Sequence, residues 1–555
     1  MMIMSTILEA TPLRLTTADK YPESNTAITK YQSTMLGRQG LALVILLVLA
    51  FYTTSPAEQS YEQLQQPAVF TVPANSNLQD VIVQIQTKVP GRVTLRISEG
   101  TYFGPFIVPS GMTLECASRK AILSIAPGAN SDVVTLLENT SYVTIRNCTI
   151  DGNGSNQTSN SRGIYLHGYT KNIVMDNIAV KHAFSACIDT VDSGNGAYSS
   201  GFVLHNSTIS DCGSHAINMW SMNDVLISGN TFSNWGQSDP ENDAIASSAI
   251  DTGKGIQPSK NYTIINNTFN NKSATKFGIE LFPGHPENYF LNVNISRNTI
   301  NGGATGSAGF SVTIHNGTIS RNVFNNPTVL VGKACAGLCE LSAANLTVSE
   351  NIITNGNITL IGDVNDIGGY TVVGNTIISN YANTKGIILS NEGYSVKNVT
   401  IARNTIIMPL AYGSCAAIQT GPPFYGNDGG SIVTDVKISH NTMIGSPDCA
   451  SALEMHSADG TERIEFSNNY VSGYVSLYSN WAEPVTGATD VRIFDNTLQD
   501  ISTLRYPTSS GTGIIDLWDN KVCANSPGSV QNDISPTPPY NDLKYDYQEL
   551  TVGCN

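Results

Sequence analysis

Charge is what this sequence has least of. Only 13% of its 555 residues are Asp, Glu, Lys or Arg, about half the share of an average soluble domain. With 29 basic against 44 acidic residues and a net charge of −15, no basic stripe is available to neutralise phosphates. That excludes an electrostatic nucleic-acid binder. Long apolar runs are missing too: the longest, Leu41 to Tyr52 (LALVILLVLAFY), falls short of the roughly 20 residues that span a bilayer. Cys and His never fall at zinc-site spacings. The segment Asp151-Gly-Asn153-Gly-Ser155-Asn156 lacks the sixth-position Gly and twelfth-position Glu of an EF-hand; Arg162 stands at the twelfth. Disorder is excluded by the 41% hydrophobic content, which gives the chain ample surface to bury. Asn, Ser, Thr and Gly take the place of charge, with β-branched residues between them. Such a composition suits strands and turns rather than exposed helices.

The apolar run fits the core of an export signal. Arg38 precedes it and Ser55-Pro56-Ala57 follows with small residues. Residues 1–57 therefore read as an N-terminal segment holding a signal peptide, or an uncleaved anchor through residues 41–52. Either arrangement makes the bulk of the chain secreted or extracellular, with a membrane met only through this segment. N-x-S/T sequons occur at Asn139, Asn206, Asn294 and Asn398, though a chain this rich in Asn, Ser and Thr produces them largely by chance. Cysteines in an exported chain are expected to pair. The candidates are Cys523 with Cys554, Cys335 with Cys339, and Cys415 with Cys449. The last two hold similar positions in successive repeats, where small buried thiols are the other reading.

A repeat organises the rest. The pattern apolar-x-apolar-x-x-Asn-Thr-apolar reads VLISGNTF at Val225, YTIINNTF at Tyr262, VNISRNTI at Val293 and VTIARNTI at Val399. Aligning on its Asn gives 230, 267, 298, 322, 351, 375, 404, 441, 469, 496 and 520, with Cys148, Ile178 and Ser207 in earlier copies. The spacing is mostly 23–31 residues, with two intervals of 37. A period of this size denotes a solenoid. Each unit shows short alternating strands between Gly/Asn turns and no helical periodicity. Stacked in parallel register, the units bury a continuous core that none can bury alone. The Asn column is read as structural: Asn tolerates left-handed backbone angles, and stacked amides can bond one another.

This strand–Asn–turn repeat, from about Thr71 to Cys523, resembles the right-handed parallel β-helix proteins of the pectate-lyase-like class. The resemblance implies an all-β, single-stranded right-handed parallel β-helix with an N-terminal capping helix. Leu78, Val81, Ile82 and Ile85 form an apolar helical stripe opened by a Ser76-x-x-Gln79 capping-box pattern. The expected divisions are an N-terminal cap and opening coils over 66–125, the β-helix over 126–523 and a covering tail over 524–555. The class holds lyases, hydrolases, epimerases and non-enzymes, so activity must be argued from a site. The Asn-Thr-Asp, Gly-His-Gly and Arg-Ile-Lys elements of polygalacturonase-type hydrolases and the Arg-based signatures of pectate lyases are absent here.

A second strand can be aligned in successive coils: RGIYLHG, ACIDTVD, HAINMWS, SAIDTGK and FGIELFP. If Ile164, Ile188, Ile217, Ile250 and Ile279 point inward, the next residue in each points out. The outward column is then Tyr165, Asp189, Asn218, Asp251 and Glu280, with His167, Trp220 and Phe282 two residues on. Acids beside aromatic rings suit a sugar polymer, the rings stacking on pyranoses and the acids moving protons. On this reading Asp251, Glu280 and Asp189 are the catalytic candidates. Asp251 and Glu280 would lie about 5 Å apart in adjacent coils, and Asp189 and Asp251 nearer 10 Å. Carboxyl pairs at about 5–5.5 Å suit a retaining glycosidase and those at about 6.5–9.5 Å an inverting one. Asn218, Trp220, Phe282, His215, Lys254, His285 and Tyr165 would hold the substrate. The long segment from Trp235 to Asp243 and a second at Gly421 to Gly426 would wall the groove.

The expected function is thus that of an exported glycoside hydrolase acting on a polysaccharide as a monomer, with no nucleic-acid partner. It requires no cofactor. The alternative is a lyase or epimerase whose acids hold Ca²⁺ while Lys254 or Lys276 abstracts a proton. A non-catalytic, adhesive surface solenoid is the rival from another class.

Overall fold

The computed structural model describes residues 67–523 apart from 160, 191–197, 238–244, 249–258, 271–277, 282–288, 302–307, 313, 326–327, 332–343, 362–367, 381, 391–395, 421–432, 456–461, 481–488, 500–502 and 507–514. Among the described residues, three long sheets run the length of the chain, with 17, 16 and 15 strands. Every strand pairs in parallel with its counterpart one coil away. Met222–Ser228 of the first sheet, Thr231–Ser233 of the second and Ile245–Ser248 of the third make one full coil. The next coil repeats the order from Ser259–Ile265 onward.

From the strand Ser141–Arg146 onward the corner between the first and second sheets is two residues long in each coil, and it explains the Asn repeat. The first adopts a left-handed backbone: Gly229, Asn266, Arg297, Arg321, Glu350, Gly374, Arg403, His440, Asn468, Asp495 and Asp519 all have φ between 51° and 67°. The repeat Asn follows it and turns inward, at most 4% exposed in every copy. The left-handed tolerance expected of the Asn column therefore belongs to its neighbour. What the Asn supplies is hydrogen bonding. Asn351 illustrates it: Oδ1 accepts from the backbone N–H and Nδ2 of Asn322, both within 3.0 Å. Its Nδ2 donates to the Ile319 carbonyl at 2.9 Å and to Asn375 Oδ1 at 2.9 Å. The same linkage runs without a break from Asn230 to Asn520. Buried amides fully satisfied in this way escape the cost of desolvation. Ser207 starts the ladder, its N–H donating to Asn230 Oδ1 at 2.8 Å while its hydroxyl takes the Ile178 N–H.

Inside, like residues stack on like. Phe232 and Phe269 lie 4.8 Å apart with nearly parallel rings. Ile300, Phe324, Ile353, Ile377, Ile406 and Met443 continue that column, all buried. Burial of each such side chain stabilises the stack by about 1.5–3 kcal/mol.

The helix expected at the N-terminal end is present as α1 (Leu78–Lys88) and packs on the strands Gly100–Gly104 and Phe106–Ile107. Leu78, Ile82 and Ile85 are buried and Val81 packs beside them. Its N-cap is Asn77, whose side chain accepts from the Asp80 N–H, rather than Ser76. Gln79 instead accepts the Ile107 N–H at 2.9 Å, satisfying a donor on the open edge of the third sheet.

Among the described residues three disulfides join neighbouring coils: Cys116–Cys148, Cys187–Cys212 and Cys415–Cys449. The third is one of the expected pairs. The side chain of Cys523, with Cys554, Cys335 and Cys339, lies outside the described residues. Among the described residues no helix is long and apolar enough to cross a membrane.

Candidate functional site

The third sheet carries the acidic and aromatic residues singled out above. Parallel register places Tyr165 beside Asp189 and Asp189 beside Asn218. Beyond that the alignment changes. Asn218 pairs with Ala246, Trp220 with Ser248, and Ala246 with Glu280. The strand between them is Ile245–Ser248, five residues earlier than the sequence alignment assumed, so Ile245 and not Ile250 matches Ile217 and Ile279. Asp251, Lys254, Phe282 and His285 lie outside the described residues. Asp189 and Glu280 are separated by three strand steps, about 14 Å at the usual strand spacing. They do not form a glycosidase-type carboxyl pair with one another. Past Glu280 the column reads Ser311, Leu330, Thr359, Ile388, Gln419 and Glu454.

Asp189 is the centre of a tight cluster. It is 6% exposed, and Arg162 Nε donates to its Oδ2. Asn218 Nδ2 donates to Oδ1 at 2.9 Å. Burial pushes the Asp189 carboxyl above its ordinary range, against the opposing pull of the Arg162 charge and of both hydrogen bonds. Burial alone would lower the Arg162 pKa, but the charges of Asp189 and Asp132 more than compensate and raise it. Asp132 sits 3.5 Å from Arg162 Nη1 and also accepts the Arg162 backbone N–H at 2.9 Å. The Tyr165 ring lies under the guanidinium, 4.0 Å from its carbon. The chain reaches this geometry because Gly163 follows Arg162. A Cβ there would fall 2.6 Å from the Cys187 carbonyl oxygen, so only glycine lets adjacent coils approach this closely.

Aromatic rings flank the cluster. Trp220 is 38% exposed, and its indole Nε1 donates to Asn218 Oδ1 at 2.9 Å. Its backbone N–H is held by Thr190 Oγ1 at 2.7 Å. On the other side the Tyr165 and His167 rings meet edge to face at 4.4 Å. His215 lies in the segment leading to Ile217, and its carbonyl accepts the Cys187 N–H. The structure thus brings Tyr165, Asp189, Asn218 and Trp220 together, beside His167. It adds Arg162 and Asp132, which sequence reasoning missed. Their signal was available: both stand two residues before the third-sheet strand, in neighbouring coils and with opposite charge. Among the described residues no group of three or more His, Cys, Asp or Glu could hold a metal ion. Trp235, expected on a groove-walling loop, is buried in the core.

Residues 133–319 match the family model described as a right handed beta helix region. The chain is a right-handed parallel β-helix protein. No curated protein matches this β-helix in sequence. Among solved structures it is similar to the A-module of a mannuronan C-5 epimerase from Azotobacter vinelandii, at 14% identity and TM-score 0.33. That match covers 78% of this chain and 94% of the other. It is also similar to a mannuronic acid specific polysaccharide family 6 lyase from human gut microbiota, at 12% identity and TM-score 0.36, covering 80% and 88%. A surface adhesin of Streptococcus pneumoniae matches at 13% identity and TM-score 0.33, covering 78% and 89%.

Proposed function

We propose that this β-helix is an exported carbohydrate-active protein that holds a polysaccharide across the third sheet, with Asp189 as its proton-donating carboxyl. The observation that carries the reading is Trp220. A large ring exposed on a rigid strand, with its only polar atom already satisfied by Asn218, offers its face to the apolar side of a pyranose. Beside it, burial favours the protonated form of Asp189, the state a general acid needs to protonate a leaving glycosidic oxygen. Inter-coil disulfides support export, since such bonds persist in oxidising compartments. The leading chemistry is glycoside hydrolysis. The second carboxylate is to be sought by substitution of Asp251, since Glu280 lies three strand steps from Asp189.

A non-catalytic adhesive role is the second reading, favoured by one feature: both oxygens of Asp189 are held by fixed donors. A panel of glycans assayed with the wild type, Trp220→Ala and Asp189→Asn separates the two. An enzyme releases reducing ends, or ultraviolet-absorbing unsaturated ends for a lyase, and loses turnover in D189N while still binding. An adhesin shows binding that W220A weakens and no turnover in any variant. If no glycan binds and W220A changes nothing, the carbohydrate reading is wrong.

A further inference from the structure

The binding face described above has a charge balance of its own, and this inference rests on that face being a glycan site. Among the described residues Arg162 is the cation at its centre, and two carboxylates already engage it. Its Nε–H goes to Asp189, its Nη1 lies beside Asp132, and one face of the guanidinium is covered by Tyr165. Two carboxylates against one guanidinium leave the centre with one negative charge when all are ionised, and none when Asp189 is protonated. In neither state is it positive. Asn218 is committed at both ends, to Asp189 through Nδ2 and to Trp220 through Oδ1. Among the described residues, what this centre leaves for a ligand is mainly ring surface: Trp220 on one side, His167 and Tyr165 on the other. The next acid along the same column, Glu280, is partly exposed and adds negative charge, as does a chain whose net charge is −15.

We propose that the polysaccharide taken here is uncharged: a neutral pyranose chain recognised by ring stacking, with polyuronates discriminated against. A recognition site for uronates needs a guanidinium with its fork free to receive the carboxylate. Here Asp189 and Asp132 already occupy the Nε and Nη1 positions of that fork. One like charge brought close to the surface is expected to weaken binding about tenfold at low salt.

The test measures binding by affinity electrophoresis at low and moderate salt. The neutral probes are glucan, mannan, galactan and xylan; the charged ones are polygalacturonate, polymannuronate and polyguluronate, each alongside its carboxyl-reduced neutral counterpart. The expected result is that the tightest binder is neutral, that W220A weakens it at least tenfold, and that salt leaves its affinity almost unchanged. Asp132→Asn, checked for an unchanged melting curve, frees one side of Arg162 and should strengthen polyuronate binding several-fold. A polyuronate as the tightest binder, with affinity that falls as salt rises, overturns the inference and leaves the glycan-site reading standing. Binding to none of the probes overturns both. A correctly folded D132N with unaltered polyuronate affinity removes the role assigned to the Arg162–Asp132 pair.

Discussion

Arg162 and Asp189 form an ion pair largely withdrawn from water, and removing one partner strands the other. Arg162→Ala leaves the Asp189 carboxyl buried with only Asn218 for support. The expected cost is about 3 kcal/mol at neutral pH, measurable as faster hydrogen exchange across Ile188–Thr190. The cost should shrink in acid, where Asp189 takes up a proton and no longer needs a cation. The wild type carries a related signature. Burial holds the Asp189 carboxyl above its ordinary value of 3.8, so the folded chain binds that proton more firmly than the unfolded chain. Stability from this group is therefore present below the unfolded value and is lost as pH rises through the folded one. Against Asp189→Asn, the wild type's relative stability should fall with rising pH in the acid range; a rise would mean that Arg162 outweighs burial. At this scale the sequence was half legible. Asp189, Asn218 and Trp220 declare themselves by alternation along strands. Arg162 and Asp132 precede their strands, where no periodicity marks them, and their meeting depends on the close approach allowed by Gly163.

Among the elements, the corner between the first and second sheets is the most regular, and the most readable. From the strand Ser141–Arg146 onward it has two residues in every coil, so its Asn recurs at a fixed offset from both flanking strands. Asn351→Ala deletes four hydrogen bonds and orphans the Asn322 N–H and the Ile319 carbonyl. A loss of about 3 kcal/mol is expected, seen in thermal unfolding and confined by exchange to the neighbouring coils. Asn351→Asp should not rescue it, because a carboxylate cannot donate to Ile319 and Asn375. The other corners vary in length, and there the sequence misled. The stretch Asp243-Ala-Ile-Ala-Ser-Ser-Ala-Ile-Asp251 offers two Ala-Ile pairs five residues apart, each fit to occupy the inward column. Nothing local distinguishes them; pairing with Ile217 on one side and Ile279 on the other selects Ile245. The disulfides were hidden for a related reason. Cys116–Cys148 and Cys187–Cys212 each span about one coil, 32 and 25 residues, but sit at different points around it. Reducing Cys187–Cys212, or replacing both with Ala, should cost about 3 kcal/mol. The loss should appear as a lower melting temperature for the double variant than for the wild type without reductant, a gap that closes when reductant is added.

For the molecule as a whole, coils contact mainly their neighbours, and stability is close to a sum over coils and their interfaces. Deleting residues 298–321 removes one complete coil and joins Arg297 to Asn322, which restores a left-handed residue followed by a ladder Asn. That variant should remain soluble, with a strand-type circular dichroism spectrum and a melting temperature a few degrees lower. Deleting residues 298–313, which leaves the first-sheet strand Ile314–Ser320 without the rest of its coil, should not fold. The low charge of the sequence belongs to this scale as well: stacked corners and strands are satisfied by Asn, Ser and Thr bonding one another, so the surface needs few ions.

The Asn ladder also has a direction. Every side-chain link runs from Nδ2 of one coil to Oδ1 of the next, from Asn230 through to Asn520. The amide dipoles therefore point the same way and add along the axis, each bond polarising the one after it. The column behaves as a buried electret, its oxygen end met by the Ser207 N–H and its amide end at Asn520, where Nδ2 returns to the Ile493 carbonyl. A ladder polarised in one sense can be lengthened or shortened by whole coils. It cannot be joined head to head with a reversed copy, because two oxygen ends would then meet with no hydrogen between them. Growth of this molecule by duplication is confined to head-to-tail repetition.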